Sequence, residues 1–471
     1  MVHRASLPRA GVAGRRGLSQ DISAAAVDPQ AGHLAPVGPA DRIAVLDVIR
    51  GVAILGIFFM NIPFMAGPIW LADSNPRAMG WSEADRLVWT VIQTTWEGTQ
   101  RGLLQFLFGA GLMVFARKAM EPDGPVGVAD LYLRRNLWLL GFGLFDIFCL
   151  LWPGDILHVY ALCALGLFPF RRLAVRWLLP LGLGFAAFTF VTGAIEYRER
   201  AQIAATVRTA LPKAQAGHRL TATEAAAVKA WREAEGRIAG TDPLIRSEAR
   251  KEAAARSSPH MADYAGWMIG SYLMLVGKGE LLFGVAEAFP AMLIGIALWR
   301  LGFIQGRRRA RDYLLVMAAA YGFGMGARYL GCLEYLAFAP QPKTIWMTDE
   351  LARLAVSLGH VAALNLLVRA RIGAALARPF RAAGQMAFTL YFLEQIIGLW
   401  ILYSPLGFDL PGGQGWAHLA GQAALVTAGL LVAANVWLRH FAMGPLEWLW
   451  RTLAYGAAPP FRRVAATSGT D

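Results

Sequence analysis

The chain has 471 residues, 56% of them hydrophobic and only 16% charged, with a mean hydropathy of +0.42. Soluble domains carry nearer 25% charge, so this composition, with its 16 Trp and 50 Gly, excludes an ordinary water-soluble globule. A net charge of +13 would point to nucleic acid in a soluble protein, but here the basic residues fall in short links between apolar runs, where they set membrane orientation. No nucleic-acid partner is expected.

Residues 1–41 contain no apolar core of the kind a cleavable signal needs, and their Ala, Gly, Pro and Arg content reads as a disordered cytoplasmic tail. Crossing a bilayer takes about 20 apolar residues. The candidate spans are 43–67, 100–116, 136–152, 155–170, 174–195, 279–303, 312–338, 350–370, 384–403 and 417–438. With the N-terminus inside, the inner links hold 16 Lys/Arg, among them Arg117, Lys118, Arg134, Arg135, Arg308 and Arg378. The short outer links hold only Arg77, Arg86, Arg101 and Lys343. This asymmetry predicts an all-α polytopic protein with about ten transmembrane helices and both termini cytoplasmic. The expected organisation is two five-helix halves, 42–195 and 264–456, around an extracytoplasmic helical loop at 196–263, with a cytoplasmic tail at 457–471.

The run from Leu137 to Phe170 is broken at Trp152-Pro153-Gly154-Asp155 and bears an arginine pair at each end. A hairpin with its tip at Pro153-Gly154 keeps both pairs inside. Tyr264–Gly277 is apolar but short, and reads as an interfacial or re-entrant helix. In the polar segment, Thr221-Ala222-Thr223-Glu224 is a capping box that opens a helix to about Arg237. Asp242-Pro243 opens another to about Arg256. No internal repeat is visible. Cys149, Cys163 and Cys332 have no metal-ligand spacing, so no metal is expected.

Charged groups inside a bilayer cost roughly 2.5–3.5 kcal/mol each at a helix centre, so they face a cavity or a partner. Asp47, Arg50 and Asn61 fall within one stripe about 60° wide on the first span. Glu97 and Arg101 are spaced to pair. Asp146, Arg328, His360 and Glu394 lie at depth, Glu280 and Glu287 share a helix face, and Asp155 and His158 stand one turn apart at the hairpin tip. No nucleophile elbow, phosphate loop or zinc motif accompanies them, and Gly322-Phe323-Gly324-Met325-Gly326 reads as helix packing.

The opening Arg42-Ile-Ala-Val-Leu-Asp47-Val-Ile-Arg50-Gly51 followed by Asn61 resembles the YeiB-like bacterial membrane proteins of domain-of-unknown-function family 418. So do Glu97-Gly98, Leu107-Phe108-Gly109-Ala110-Gly111, Gly154-Asp155-Ile156-Leu157 with Tyr160-Ala161, Gly384-Gln385-Met386-Ala387 and Gly444-Pro445-Leu446-Glu447-Trp448. The chain departs from the family pattern at Gln100, Gln385, Leu390 and Asp146. The opening is also similar to that of the heparan-glucosaminide acetyltransferases and wider transmembrane acyltransferases. That likeness implies acyl transfer from a cytoplasmic thioester, acyl-coenzyme A as donor substrate with no bound cofactor, to an envelope glycan or lipid at the bacterial inner membrane. Asp155 and His158, with Asp146 and His360 deeper, are the candidate catalytic groups; Asp47, Arg50, Asn61, Glu97, Arg101, Tyr160, Glu287, Arg328 and Glu394 are the candidate cavity or substrate-binding residues. A small-solute transporter or channel is the competing reading, and a non-catalytic scaffold a third. The oligomeric state is not legible.

Overall fold

The computed structural model describes residues 43–117, 127–404 and 406–463; the expected tail at 1–41, Lys118 and residues 464–471 lie outside them. Seventeen α-helices follow one another among the described residues, with no strand between them. The first four are α1 (Ala44–Ala66), α2 (Ile69–Ser74), α3 (Glu83–Thr95) and α4 (Thr99–Ala116). The predicted hairpin is formed by α5 (Gly127–Phe148) and α6 (Leu157–Leu167). Next come α7 (Val175–Gln215), α8 (Ala222–Ile238), α9 (Pro243–Arg256) and α10 (Met261–Gly277). The chain continues through α11 (Glu280–Arg300), α12 (Ala310–Leu336), α13 (Ile345–Leu367) and α14 (Arg371–Gln385). It closes with α15 (Ala387–Gln395), α16 (Trp416–His440) and α17 (Pro445–Tyr455).

All ten apolar runs are helical. Five helices, α1, α7, α11, α13 and α16, are long and apolar enough to cross a membrane; α14 with the stretch 387–402, bent by 77°, makes a sixth if counted as one broken span. The other four differ for physical reasons. Polar residues dilute α4 (Gln100, Arg101, Gln105), α5 (Arg134, Arg135, Asp146) and α12 (Arg328, Glu334). With 11 residues, α6 rises only about 16 Å. This is an all-α membrane protein.

Two helix crossings use glycine to bring backbones together. A Cβ on Gly51 of α1 would stand 2.0 Å from the Phe380 carbonyl oxygen, and one on Gly384 1.8 Å from that of Asp47, so α1 and α14 cross in backbone contact. Gly109 and Gly295 do the same between α4 and α11.

The polar segment differs from expectation at its start. No Gly or Pro interrupts the chain from Glu196 to Leu211, and α7 runs on past residue 195 for 41 residues in all, about 62 Å. Its extension packs Val207 and Ala210 against Ala227 and Val228 of α8. The capping box at Thr221 and the Asp242 cap form as predicted. Helix α9 docks on the end of α1: Glu252 accepts from the Ile69 amide at 2.8 Å and pairs with Arg256, which donates to the Met65 carbonyl at 3.2 Å.

Candidate functional site

A cavity of about 380 Å³ lies between α1, α4, α5, α6, α15 and α17. Its lining includes Arg50, Arg117, Arg135 and Arg451, four guanidiniums against the carboxylates of Asp47 and Glu447. Arg50 pairs with Asp47 at 3.0 Å and reaches the Gly384 carbonyl at 3.4 Å, while Gln385 donates to Asp47 at 3.4 Å. Arg135 lies 4.2 Å over the Trp450 ring. Leu104, Leu107, Phe108 and Phe388 give the depth an apolar wall, and Tyr160, Ile156 and Tyr391 close it.

Glu447 builds part of that wall. Breaking the backbone at Met386 leaves the first amides of α15 without helical partners. The Glu447 carboxylate caps them, accepting from the Phe388 amide at 2.7 Å, the Thr389 amide at 3.2 Å and the Thr389 hydroxyl at 2.5 Å. A Cβ on Gly444 would stand 2.2 Å from that carboxylate, which accounts for glycine there.

Behind the closed end stands an acid–base pair. Asp155 Oδ2 accepts from the His158 amide at 2.9 Å and lies 2.8 Å from His158 Nδ1. Asp155 Oδ1 accepts from the Tyr391 hydroxyl at 2.9 Å, and that hydroxyl accepts from the Ile156 amide at 3.2 Å. Both Asp155 and His158 are buried. The Tyr272 ring of α10 meets the imidazole edge to face, with ring centroids 5.8 Å apart. Nδ1 is engaged, so Nε2 is the ring nitrogen left to act on a reactant. Asp146, fully buried, faces Asp155 and Tyr391.

Three of the four candidate catalytic groups therefore come together, and His360 does not join them. Its Nδ1 is 2.7 Å from the Tyr321 hydroxyl and its Nε2 3.0 Å from the Thr95 carbonyl, so both nitrogens tie helices together. Asp47, Arg50 and Tyr160 line the cavity; Asn61, three turns farther along α1, does not. Arg101 departs from the expected pairing with Glu97 and forms its ion pair with Glu287, at 3.7 Å. Glu280 is exposed while Glu287 is buried, so the two do not share an environment. Arg328 binds the backbone oxygens of Gln93 and Glu97, and Asp349 at 3.2 Å. Glu394 is fully buried with neither carboxyl oxygen partnered among the described residues.

Sequence reasoning missed two residues. Tyr391 looked like one more aromatic of an apolar run. Arg353, 2% exposed, holds a buried cluster: it makes two 2.7 Å bonds to Glu350, one of 2.8 Å to Gln105, and lies 3.5 Å from Glu287. Glu350 and Arg353 are spaced i,i+3 at the start of a span, a pattern that could have drawn attention.

The fold and site thus define an all-helical membrane protein with a buried His–Asp–Tyr arrangement joined through Tyr391 to the lining of a cavity that also carries four arginines. Protein of unknown function family DUF418 matches residues 298–457. The chain is similar to the uncharacterized protein YxaH of Bacillus subtilis, 28% identical over 448 residues, covering 91% of this chain and 98% of YxaH. It is also similar to the uncharacterized protein YeiB of Escherichia coli, 24% identical over 438 residues, 89% of this chain and 98% of YeiB. A 39.9 kDa uncharacterized protein of Bacillus acidopullulyticus is 33% identical over 138 residues, 29% of this chain and 36% of that one. The chain is thus similar to YeiB over nearly its whole length, and residues 298–457 match the DUF418 model. No solved structure matches it.

Proposed function

We propose that this protein is an acyltransferase of the bacterial inner membrane, with both termini cytoplasmic, moving an acyl group from a coenzyme A thioester to an envelope glycan or lipid. The observation that carries the reading is the Asp155–His158 pair behind the end of the cavity. The arginine-rich lining suits the phosphates of the donor, and the apolar depth suits its pantetheine arm. His158 Nε2 takes the proton of an acceptor hydroxyl as its oxygen attacks the thioester carbon. The new C–O bond forms, the C–S bond breaks, and the imidazolium returns the proton to the departing thiolate. Asp155 orients the ring and stabilises its charged form.

Proteoliposomes loaded with labelled thioester on the cytoplasmic side and envelope acceptor on the other test this. One acyl group on the acceptor per thiol released is expected. No thioester turnover with any acceptor would remove the reading. The competing one, transport of a small solute, has its own observation: an unpartnered buried Glu394 on the outer arm of a helix bent by 77°.

A further inference from the structure

Asp155 and Asp146 stand together, yet their surroundings treat them differently. Asp155 accepts three hydrogen bonds, from the His158 amide, His158 Nδ1 and the Tyr391 hydroxyl. Asp146 is 0% exposed and neither of its carboxyl oxygens meets a donor. Its neighbours are the Asp155 carboxyl and the Tyr391 phenol, whose one proton is already given to Asp155. Among the described residues, His158 is the only basic side chain paired with either acid, and the other titratable group facing the pair is Tyr272 from α10.

Two adjacent buried carboxyls with no Lys or Arg beside them do not both ionise. The donors decide which one carries the charge, because an ionised carboxylate needs donors and a protonated one brings its own. We propose that Asp146 is held as a neutral carboxylic acid that donates to Asp155, and that Tyr391 is the positioning residue that pins the negative charge on Asp155. The negative charge of the pair then faces His158, while Asp146 donates its proton to Asp155 without touching a reactant. Tyr391, whose ring also closes the cavity, places that charge control at the boundary between donor and acceptor sides. The role assigned to Tyr391 in catalysis rests on the acyl-transfer reading; the assignment of the proton does not.

Infrared difference spectra of the full-length protein in lipid, taken in the carboxyl C=O region in H2O and D2O, test the assignment without any turnover. Asp146→Asn is expected to remove a protonated-carboxyl band that persists in Asp155→Asn. Retention of the band in Asp146→Asn, or its loss in Asp155→Asn, would overturn the assignment. Either variant alone can overturn the assignment, so a failure of one to fold leaves it falsifiable. In turnover, Asp155→Asn is expected to lose on the order of 10²–10⁴. Tyr391→Phe is expected to lower kcat about tenfold, the worth of one hydrogen bond to a charged group, at unchanged donor KM, and to move the acidic limb of the pH–rate profile. A limb that stays in place would reduce Tyr391 to a packing residue.

Discussion

Replacing Arg353 by Met removes the one side chain that, among the described residues, forms an ion pair with Glu350. In the native protein Arg353 gives Glu350 a two-pronged contact, 2.7 Å on each side, and holds Gln105 in place to donate to Glu287 at 3.0 Å. Glu287 keeps Arg101 at 3.7 Å after the change, but Glu350, 8% exposed, keeps no cation among the described residues. Breaking a buried pair from one side costs about 3–5 kcal/mol, because the remaining charge is stranded. At 1.4 kcal/mol per decade, that is a shift of roughly 10²–10⁴ in the folded-to-unfolded ratio. Removing both charges, Glu350→Leu with Arg353→Met, strands neither partner and recovers most of the loss, since apolar replacement of a buried pair is often close to neutral. Thermal unfolding in detergent, followed by tryptophan emission and by the fraction that stays monodisperse, measures both proteins. A single variant within about 0.5 kcal/mol of wild type, or a double variant worse than the single, would refute the assignment of Arg353 as the hub of the cluster.

Within the same motif, Gly109→Ala and Gly111→Ala should part company. A Cβ on Gly109 meets the Met292 carbonyl oxygen at 1.9 Å, whereas one on Gly111 meets nothing within 4 Å; the first is expected to lose folded yield and the second to match or exceed wild type in a fluorescence-detected sizing assay. The lobe formed by α8 and α9 should loosen in acid. Hydrogen bonding to Lys213 and to the Thr221 amide holds the Glu224 carboxyl down to about 2 from its ordinary 4.5. A depressed acid stabilises the fold above the unfolded value and loses that contribution as pH falls from about 4.5 toward 2. Hydrogen exchange at the start of α8 is therefore expected to quicken over that window in wild type, and to lose this dependence in Glu224→Gln. Reporter fusions at Arg308 and Arg378 should report cytoplasm, and fusions at Trp231 and Gly412 the outside; two adjacent reversals would break the threading.

Much of the fold was legible because its determinants are local. Apolar length and arginine placement located the ten runs, the hairpin at Pro153-Gly154 and both caps of the polar segment. What escaped depends on contacts distant in sequence. Nothing near residue 195 tells whether α7 stops at the membrane surface, since the Ala-rich continuation is a good helix in water once α8 covers it. Arg101 finds Glu287 on α11 because Gly109 and Gly295 let α4 and α11 approach closely, a fact of tertiary packing that i,i+4 spacing cannot anticipate. At the site, Asp155 and His158 were readable as neighbours one turn apart. The Tyr391 hydroxyl arrives from 236 residues away. His360, a deeper candidate in the sequence, drops out because Tyr321 and Thr95 occupy both of its nitrogens.

Thioester consumption by the purified protein, compared between wild type and His158→Ala with a supplied envelope acceptor, tests the central claim most directly. The account predicts that the variant folds, binds the donor as before and loses about 10²–10⁴ in turnover. Undiminished turnover in His158→Ala would contradict it, because among the described residues no other imidazole lies at this site to take the acceptor's proton.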